Sequence, residues 1–449
     1  MEKGTRRLVF KSSFGRMLLT MSTNIILAAF GLVTGSLAAR FLGPTGRGEL
    51  AVIQTWPTFL AGLAGLGLSD AVVYFSSKHS SQSGTFLATA VALSLMAALP
   101  AIIIGNLLLP LLLKAQTHQL ILDTRLYLTL FIPLMATQGM LLHPLRGQNN
   151  FFVYNLLRIV NAVGWFSVIL IMPVFHIVNP NTFAYGYLAI SGIIGILTWF
   201  IVRRYVGGPY VIKRDLWRPM LNYGLPSAIS FIPQYANLRL DQLVMAMFLA
   251  PDRLGYYVVA VAWSGALLPV LNGIGAVLFP RVAMEGTVNG QVEALGQVAR
   301  SGTFLSFLLS ILLLIITPFG IRLLFGTAFE PSIEPAIILV FAANILSVIN
   351  ILEEGMRGLG NTKAILWSEC VGVVVTVIGL IILLPRLEII GAAIASFLGY
   401  CTILLALLFQ LKKISQKPIG FFLWPKMVDL QRAEKQIETT IGVWIRKTT

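Results

Sequence analysis

Charged residues, cysteines and histidines are all scarce in this chain of 449 residues. Only 11% of the residues are charged, whereas 57% are hydrophobic. A soluble protein of this length needs more charge than that to cover its surface, so the composition excludes an array of soluble domains. Two cysteines inside apolar segments and four scattered histidines exclude a disulfide framework and a Cys/His metal cluster. We therefore expect neither a metal site nor a cofactor.

Familiar catalytic motifs are missing as well. The chain has no G-x-x-x-x-G-K-[ST] loop for ATP, no H-E-x-x-H and no G-x-S-x-G. The loops on the outer side are short, whereas a membrane-embedded glycosyltransferase usually needs a sizeable outer loop or domain for its chemistry. We therefore expect a protein that is not an enzyme.

Long apolar segments dominate the chain instead. Twelve of them reach the length of about 20 residues that crosses a bilayer, and most carry no charged residue. In chain order these spans are Met17–Ala39, Leu50–Ser69, Thr85–Leu113, Leu126–Leu145, Phe151–Val174, Phe183–Val202, Met220–Pro251, Leu254–Pro280, Ser301–Ile321, Pro335–Leu352, Ala364–Pro385 and Ile389–Leu411. In hydrocarbon the backbone groups of a spanning segment must be hydrogen-bonded internally. The sequence therefore predicts an all-α polytopic membrane protein with about twelve transmembrane helices.

Basic residues are unevenly distributed between the two sides of this topology. Of the 33 lysines and arginines, 24 fall on the side that holds both termini, seven fall on the opposite side, and two lie within spans. The positive-inside rule therefore predicts that both termini are cytoplasmic. This topology, together with attraction to anionic membrane lipids, accounts for the net charge of +15, so no nucleic-acid partner is needed.

The chain also repeats itself. The segment Phe41-Leu42-Gly43-Pro44 with Gly48, Val52 and Trp56 returns 207 residues later as Phe248-Leu249-Ala250-Pro251 with Gly255, Val259 and Trp263. A second echo, 211 residues apart, matches Arg146-Gly147 and Asn150 with Arg357-Gly358 and Asn361. We infer two parallel-repeat halves of six helices each, residues 1–212 and 213–411, followed by a basic cytoplasmic tail, 412–449. Two similar membrane halves are typical of transporters.

Polar and ionisable residues inside spans are costly and mark functional sites or buried pairs. In the seventh span Gln234, Asn237 and Asp241 share one helical face, and Arg239 lies nearly opposite Asp241 on a regular helix. We interpret this span as lining a cavity. The alternative is that Arg239 and Asp241 each pair with a neighbouring helix.

The fifth span carries a second polar face, which includes Asn155, Arg158 and Asn161. By the 211-residue offset, Arg158 corresponds to Glu369 of the eleventh span. Three alternatives remain open: the two residues form a bridge that holds one access state, one of them contacts the substrate, or each has a separate structural partner. Glu354 lies near the inner end of the tenth span, where it either lines the cavity mouth or belongs to a solvated helix end.

These motifs resemble those of a known family. Residues 39–50 read ARFLGPTGRGEL and are similar to the opening signature of the polysaccharide transporter family, as are LRLDQ at 238–242 and RGLGN at 357–361. This family includes Wzx-type O-antigen flippases and belongs to the multidrug/oligosaccharidyl-lipid/polysaccharide exporter superfamily. The resemblance implies two six-helix lobes around a central cavity.

The resemblance also implies a function. It implies a flippase that moves undecaprenyl-pyrophosphate-linked oligosaccharide from the inner to the outer leaflet by alternating access, in polysaccharide or O-antigen lipopolysaccharide biosynthesis at the bacterial inner membrane. It further implies coupling to a proton or sodium gradient, for which Glu369, Asp241 and Glu354 are candidate coupling or gating residues. A polysaccharide polymerase and glycosyltransferases are implied as partners.

Such a cargo has two chemical requirements. A pyrophosphate needs cationic partners, and arginine bonds it bidentately, so Arg158 and Arg239 are the candidate contacts. A sugar head group needs a wet polar cavity, because unpaired hydroxyls are costly in hydrocarbon. The candidate lining residues are Asn155, Asn161, Gln234, Asn237 and Asp241.

A cation-coupled multidrug antiporter of the same superfamily is the alternative. Such antiporters commonly carry an acidic residue within the first helix, and this chain has none there. Asn24 is the nearest polar residue. The difference favours an anionic, lipid-linked cargo.

Overall fold

A computed structural model describes residues 2–269, 282, 284, 285 and 287–424 of the chain. Every regular element among these residues is a helix, and no strand occurs among them. The α-helices are α1 (Glu2–Ala64), α2 (Leu68–Lys78), α3 (Ser83–Leu112), α4 (His118–Leu141), α5 (His143–Gly147), α6 (Phe151–Val174), α7 (Pro180–Tyr205), α8 (Trp217–Asn237), α9 (Leu240–Phe248), α10 (Pro251–Ser264), α11 (Val288–Phe325), α12 (Ile333–Gly358), α13 (Thr362–Ser415) and α14 (Gly420–Leu423).

Eight helices in the described part of the chain are long and apolar enough to cross a membrane. Two of them, α1 and α13, each contain two expected spans and bend between them, at Gly43 (φ 67°) and Glu388 (φ 46°). These eight helices therefore account for ten of the twelve expected spans. The seventh span and the described start of the eighth are built from the shorter helices α8, α9 and α10, and residues 270–280 of the eighth expected span lie outside the described residues.

The seventh span is broken, but not at its prolines. Pro226 and Pro233 both lie inside α8, and the helix ends after Asn237. Helix α9 then begins at Leu240, with Arg239 in a non-helical conformation as its N-cap. The sequence pattern assumed that Arg239 and Asp241 lie on one regular helix. The break shows that they do not.

Large apolar side chains are exposed along several helices. Examples are Leu107 on α3, Ile196 on α7 and Ile315 on α11, which are 61–72% exposed. Exposed apolar faces of this kind suit a lipid environment, in which an apolar surface needs no covering. The predicted all-α polytopic membrane fold is confirmed.

The repeated motif packs against its own second copy. A side chain on Gly48 would overlap the backbone carbonyl of Pro251, and a side chain on Gly255 would overlap the carbonyl of Pro44. Only glycine permits so close a backbone approach. We call this end of the helix bundle the outer end. The inner end carries the loops in which lysine and arginine are abundant.

Hydrogen bonds between the halves add to this outer contact. The amide of Gln116 donates to the carbonyls of Ala246 at 2.8 Å and Leu249 at 2.9 Å. The hydroxyl of Ser36 and Nε of Arg40 both donate to the carbonyl of Leu324, at 2.8 and 2.7 Å. The two halves are therefore joined at the outer end by both close packing and polar contacts.

The halves also meet toward the inner end, where α2 packs against α8. Gly67 (φ 64°) and the backbone of Gly224 approach so closely that a side chain on Gly67 would overlap the Gly224 carbonyl. The rings of Tyr74 and Tyr223 stack with centroids 4.3 Å apart. Contacts between the halves therefore occur near both ends of the bundle.

The start of the predicted tail is described. Helix α13 ends at Ser415, and the carbonyl of Phe421 in α14 accepts a hydrogen bond of 2.8 Å from the buried Arg300 of α11. This contact attaches α14 to the inner part of α11. Residues 425–449 of the predicted tail lie outside the described residues.

Candidate functional site

Helix α6 places its predicted polar face against α1. The guanidinium of Arg158 donates to Asn24 Oδ1 at 2.8 Å and to Asn155 Oδ1 at 3.2 Å. Asn155, which is 1% exposed, donates in turn to Thr20 Oγ1 at 3.1 Å and to the carbonyl of Phe151 at 2.8 Å. These bonds hold the guanidinium in place and leave Arg158 half-buried.

Arg158 has no acidic partner in the part of the chain that the structure describes. Across the described residues it forms no ion pair, and both of its side-chain hydrogen bonds go to neutral amide oxygens. Its guanidinium also lies 5.3 Å from the ring centroid of Tyr154. A partly buried cation without a counter-charge favours an anion, and a guanidinium favours phosphate or carboxylate oxygens in particular.

A cavity adjoins Arg158 within the N-terminal half. It has a volume of about 360 Å³ and is lined in part by Gln138, Arg158, Asn161, Trp165 and Tyr187. Asn161 Oδ1 is buried there without a hydrogen-bond partner among the described residues. The rings of Trp165 and Tyr187 meet edge to face, with centroids 5.1 Å apart. The cavity therefore combines the cation of Arg158, an amide oxygen of Asn161 that lacks a partner among the described residues, and the aromatic rings of Trp165 and Tyr187.

The polar face of the seventh span belongs to a different cluster. Asn237 is 3% exposed and Asp241 is 5% exposed, so neither lines an open cavity. Asp241 accepts hydrogen bonds from the Tyr257 hydroxyl at 2.6 Å, from Ser396 at 3.2 Å and from the backbone N–H of Gln242 at 2.7 Å. These contacts tie α9 to α10 and α13 in the C-terminal half.

Two buried carboxyl groups extend this cluster. The amide of Asn237 donates to the carboxylate and to the backbone carbonyl of Glu369, and the amide of Gln234 donates to Glu353 Oε2 at 3.0 Å. Glu353 and Glu369 face each other and are 1% and 2% exposed. Glu353 Oε1 has no hydrogen-bond partner in the described part of the chain.

Sequence reasoning selected Glu354 on α12 and missed Glu353. Glu354 pairs with Arg357 one turn away, and the second arm of Arg357 lies 3.5 Å from Glu353. Glu353 shares its spacing of three and four residues with Leu346, Ile349 and Met356, all of which are buried. That apolar periodicity was the signal that could have marked Glu353 as the buried member of the pair.

The structure separates the candidate residues into two groups. Asn155, Arg158 and Asn161 lie in the N-terminal half, whereas Gln234, Asn237, Asp241 and Glu369 lie in the C-terminal half. Arg158 and Glu369, which the repeat makes counterparts, bond to Asn24 and Asn237 respectively and do not form an ion pair. Arg239 is exposed between α8 and α9 and forms no side-chain hydrogen bond or ion pair among the described residues.

The helix arrangement matches that of known membrane transporters. The solved structure of "Lipid II flippase MurJ, inward closed conformation" has a TM-score of 0.73, covering 89% of this chain and 90% of that chain at 16% identity. An inward-facing multidrug resistance MATE family transporter of the MOP superfamily has a TM-score of 0.63, covering 90% of this chain and 96% of that chain at 14% identity. These likenesses define the fold.

The sequence then places the chain in a family. The profile of the family described as "Polysaccharide biosynthesis protein" matches residues 16–285, more than half of the chain, and the protein belongs to this family. The resemblance predicted from the motifs is confirmed.

Two archaeal proteins are similar to this chain. A Haloferax volcanii protein, "Probable low-salt glycan biosynthesis flippase Agl15", is 24% identical over 383 residues, which are 81% of this chain and 75% of that protein. "Uncharacterized membrane protein MJ1068" of Methanocaldococcus jannaschii is 28% identical over 255 residues, 53% of this chain and 49% of that protein.

Proposed function

We propose that this protein is a flippase for lipid-linked oligosaccharide, which it moves from the inner to the outer leaflet by alternating access. The observation that carries this proposal is the cation of Arg158, which two asparagines hold beside a polar cavity and which has no acidic partner among the described residues. An anionic head group would supply the missing counter-charge. The similarity to the Haloferax volcanii protein described as a glycan biosynthesis flippase supports the same class of cargo.

The chemistry of the cavity suits an undecaprenyl-pyrophosphate carrier. The pyrophosphate would bond to Arg158, with the exposed Arg239 as a second cationic contact. Sugar hydroxyls would bond to the free oxygen of Asn161 and to Gln138, while Trp165 and Tyr187 offer aromatic surface to a sugar ring. The prenyl chain would stay in the lipid.

Alternating access would use the two contact regions between the halves. The outer interface at Gly48 and Gly255 would open to release the head group, and the inner interface at Gly67 and Gly224 would open to admit it. Both interfaces include close backbone contacts made by glycines, and no ion pair between described residues would have to break when either one separates.

Coupling is proposed to occur in the C-terminal half. The neighbouring carboxyl groups of Glu353 and Glu369 would hold one proton between them, and the nearby Asp241 would be the third acidic group of the site. Sodium is the alternative coupling ion, because carboxylate and hydroxyl oxygens bind hard cations.

The proposed setting is the bacterial inner membrane, with both termini in the cytoplasm. The distribution of lysine and arginine supports this orientation. The flippase would act beside glycosyltransferases that build the glycan on the inner leaflet and a polymerase that uses it on the outer leaflet, in polysaccharide or O-antigen synthesis.

A cation-coupled multidrug antiporter is the second candidate. The buried carboxyl groups of Asp241, Glu353 and Glu369 favour it, because they suit a cation. The lone cation of Arg158 opposes it, because a like charge would repel a cationic drug. Protection of cells against varied cationic drugs on overproduction of the protein would favour this candidate over the flippase.

The deciding experiment is leaflet-resolved detection of undecaprenyl-linked sugars after acute depletion of the protein. We expect accumulation on the inner leaflet, reversed by the wild-type chain and not by Arg158→Ala. Arg125→Ala is the matched control, since Arg125 also donates to an asparagine oxygen, Asn106 Oδ1 at 3.2 Å, but does not line the cavity. An unchanged leaflet distribution, in cells that lack a redundant transporter, would refute the proposal.

A further inference from the structure

A second cavity opens at the outer end of the N-terminal half. It has a volume of about 740 Å³, within the range of small-molecule sites. It lies between the beginnings of α4 and α7 and shares no lining residue with the cavity beside Arg158. Its polar lining residues are Glu49, Thr117, Gln119, Asp123, Asn179, Asn181, Thr182 and Tyr185.

Local structure holds the polar wall of this cavity rigid. Thr117 caps α4, and Asn179 caps α7 by accepting from the backbone N–H and hydroxyl of Thr182, both at 2.8 Å. Asp123 bridges the two helices, since its Oδ2 accepts from Asn181 of α7 at 2.7 Å, and its Oδ1 accepts from Gln119 of its own helix at 3.0 Å. The wall is therefore preorganised before any ligand arrives.

Glu49 completes the wall from the opposite side. Its carboxylate lines the cavity, has Asp123 as an electrostatic neighbour, and forms no hydrogen bond or ion pair with any other described residue. No lysine or arginine lines the cavity. The cavity thus offers two carboxylates, several amides and hydroxyls, and repels anions.

The carboxylates, amides and hydroxyls of this cavity indicate which class of ligand can bind there. A ligand rich in hydroxyl groups satisfies them, because each hydroxyl donates to a carboxylate or amide oxygen and accepts from an amide N–H. The ring of Tyr185 adds a partly apolar surface. The described residues contain no group of three or more His, Cys, Asp or Glu side chains able to hold a metal ion, so a metal fits the cavity less well than a polyol does.

We propose that this outer cavity is a binding site for uncharged sugar residues. A role of this cavity in transport rests on the proposed flippase function. In that role the cavity would hold the glycan of the cargo after the pyrophosphate has left Arg158. The same hydroxyl chemistry would also recognise a free saccharide outside the cell. In either case the site recognises the sugar and excludes the phosphate.

Binding can be measured directly on the purified full-length chain in nanodiscs. The probes are uncharged methyl glycosides of glucose, galactose, mannose, rhamnose and N-acetylglucosamine, observed by saturation-transfer NMR and titrated to a Kd. We expect at least one of them to bind the wild-type protein. Loss of a charged hydrogen-bond acceptor in Glu49→Ala should weaken that Kd by about tenfold or more.

Two further variants guard against indirect effects. Glu334→Ala removes an exposed carboxylate at the outer end of the other half and should leave binding unchanged. Ala189→Trp places a large side chain at an exposed position on the cavity wall, removes no hydrogen bond, and should abolish binding. No binding of any glycoside to the wild type, or equal binding by the wild type, Glu49→Ala and Ala189→Trp, would overturn the proposal.

A leaflet-transfer assay tests whether the bound sugar belongs to the lipid-linked cargo or to a free saccharide. Slowed appearance of lipid-linked glycan on the outer leaflet in Glu49→Ala would assign the site to the cargo. Weakened glycoside binding with unchanged leaflet transfer would assign it to a free saccharide. Failure of leaflet transfer in the wild type would refute the flippase proposal alone, because glycoside binding is measured without transport.

Discussion

Arg158 and Asn24 form the contact that distinguishes the N-terminal half from an acidic cation site. The guanidinium donates to Asn24 Oδ1 at 2.8 Å, so the partner of the cation is a neutral amide. A carboxylate in the same position would form an ion pair and occupy the guanidinium. Because the side chain of Asn24 is a neutral amide, the positive charge of Arg158 stays available for an anion.

Asn24→Asp tests this relationship with a change of a single functional group. We expect the new carboxylate to pair with Arg158 and to lower the rate of lipid-linked glycan transfer by about tenfold or more, since a charged hydrogen bond contributes about 1.5–3 kcal/mol. The measurement is leaflet-resolved transfer in proteoliposomes. Asn106→Asp, beside Arg125, is the control and should transfer at the wild-type rate. A fully active Asn24→Asp protein would contradict this role for Arg158.

Glu353→Gln tests the proposed coupling pair. The amide keeps the shape of the side chain but cannot exchange a proton, so an imposed proton gradient should no longer accelerate glycan transfer, and transfer should fall about tenfold or more toward the rate without a gradient. Glu330→Gln is the matched control, since Glu330 forms an exposed ion pair with Arg322 at 2.9 Å. The expectation is wrong if the gradient accelerates Glu353→Gln as strongly as the wild type.

Gly48→Ala tests the outer interface. The added methyl group would overlap the Pro251 carbonyl and should cost this interface about 1–3 kcal/mol, which shifts the population toward an outer-open state. Spin labels at the exposed positions Lys114 and Glu334, one in each half, would report a longer distance by pulsed electron resonance. Gly31→Ala meets no atom within 4 Å and should leave the distance unchanged.

The two repeat tryptophans should respond differently to the same substitution. Trp263 donates its indole N–H to Thr317 Oγ1 at 2.9 Å, whereas the buried Nε1 of Trp56 has no partner among the described residues. Trp263→Phe should therefore lower the free energy of unfolding by about 1 kcal/mol more than Trp56→Phe does. Denaturant titration in mixed micelles measures both values. Equal losses would show that the hydrogen bond contributes nothing measurable.

The helices were predictable because apolar length alone determines which segments cross a bilayer. The break at Leu238–Arg239 was not predictable in the same way, since Pro226 and Pro233, the obvious helix breakers, remain inside α8. Proline is tolerated in membrane helices because neighbouring groups can satisfy the freed carbonyl. The apolar pattern therefore predicts the seventh span. The prediction that Arg239 and Asp241 lie nearly opposite on one regular helix is wrong.

The candidate polar residues show a similar division. Helical spacing predicts that Gln234, Asn237 and Asp241 share one face, but Asp241 lies on α9, beyond the break that ends α8. The spacing carries no information on their partners, which are Glu353 for Gln234, Glu369 for Asn237 and Tyr257 for Asp241, all from other helices. Partners that lie more than 100 residues away, as Glu353 and Glu369 do, cannot be read from local periodicity.

The reciprocal glycine contacts give the two halves one shared constraint. Gly48 makes room for the turn at Pro251, and Gly255 makes room for the turn at Pro44. A larger residue in either copy disturbs the same surface, and no change in the other copy restores the lost space. The surrounding helices are free to diverge, since lipid accepts any apolar side chain. The glycines of the motif at this interface cannot be replaced in the same way. This constraint explains why the internal repeat can still be recognised there.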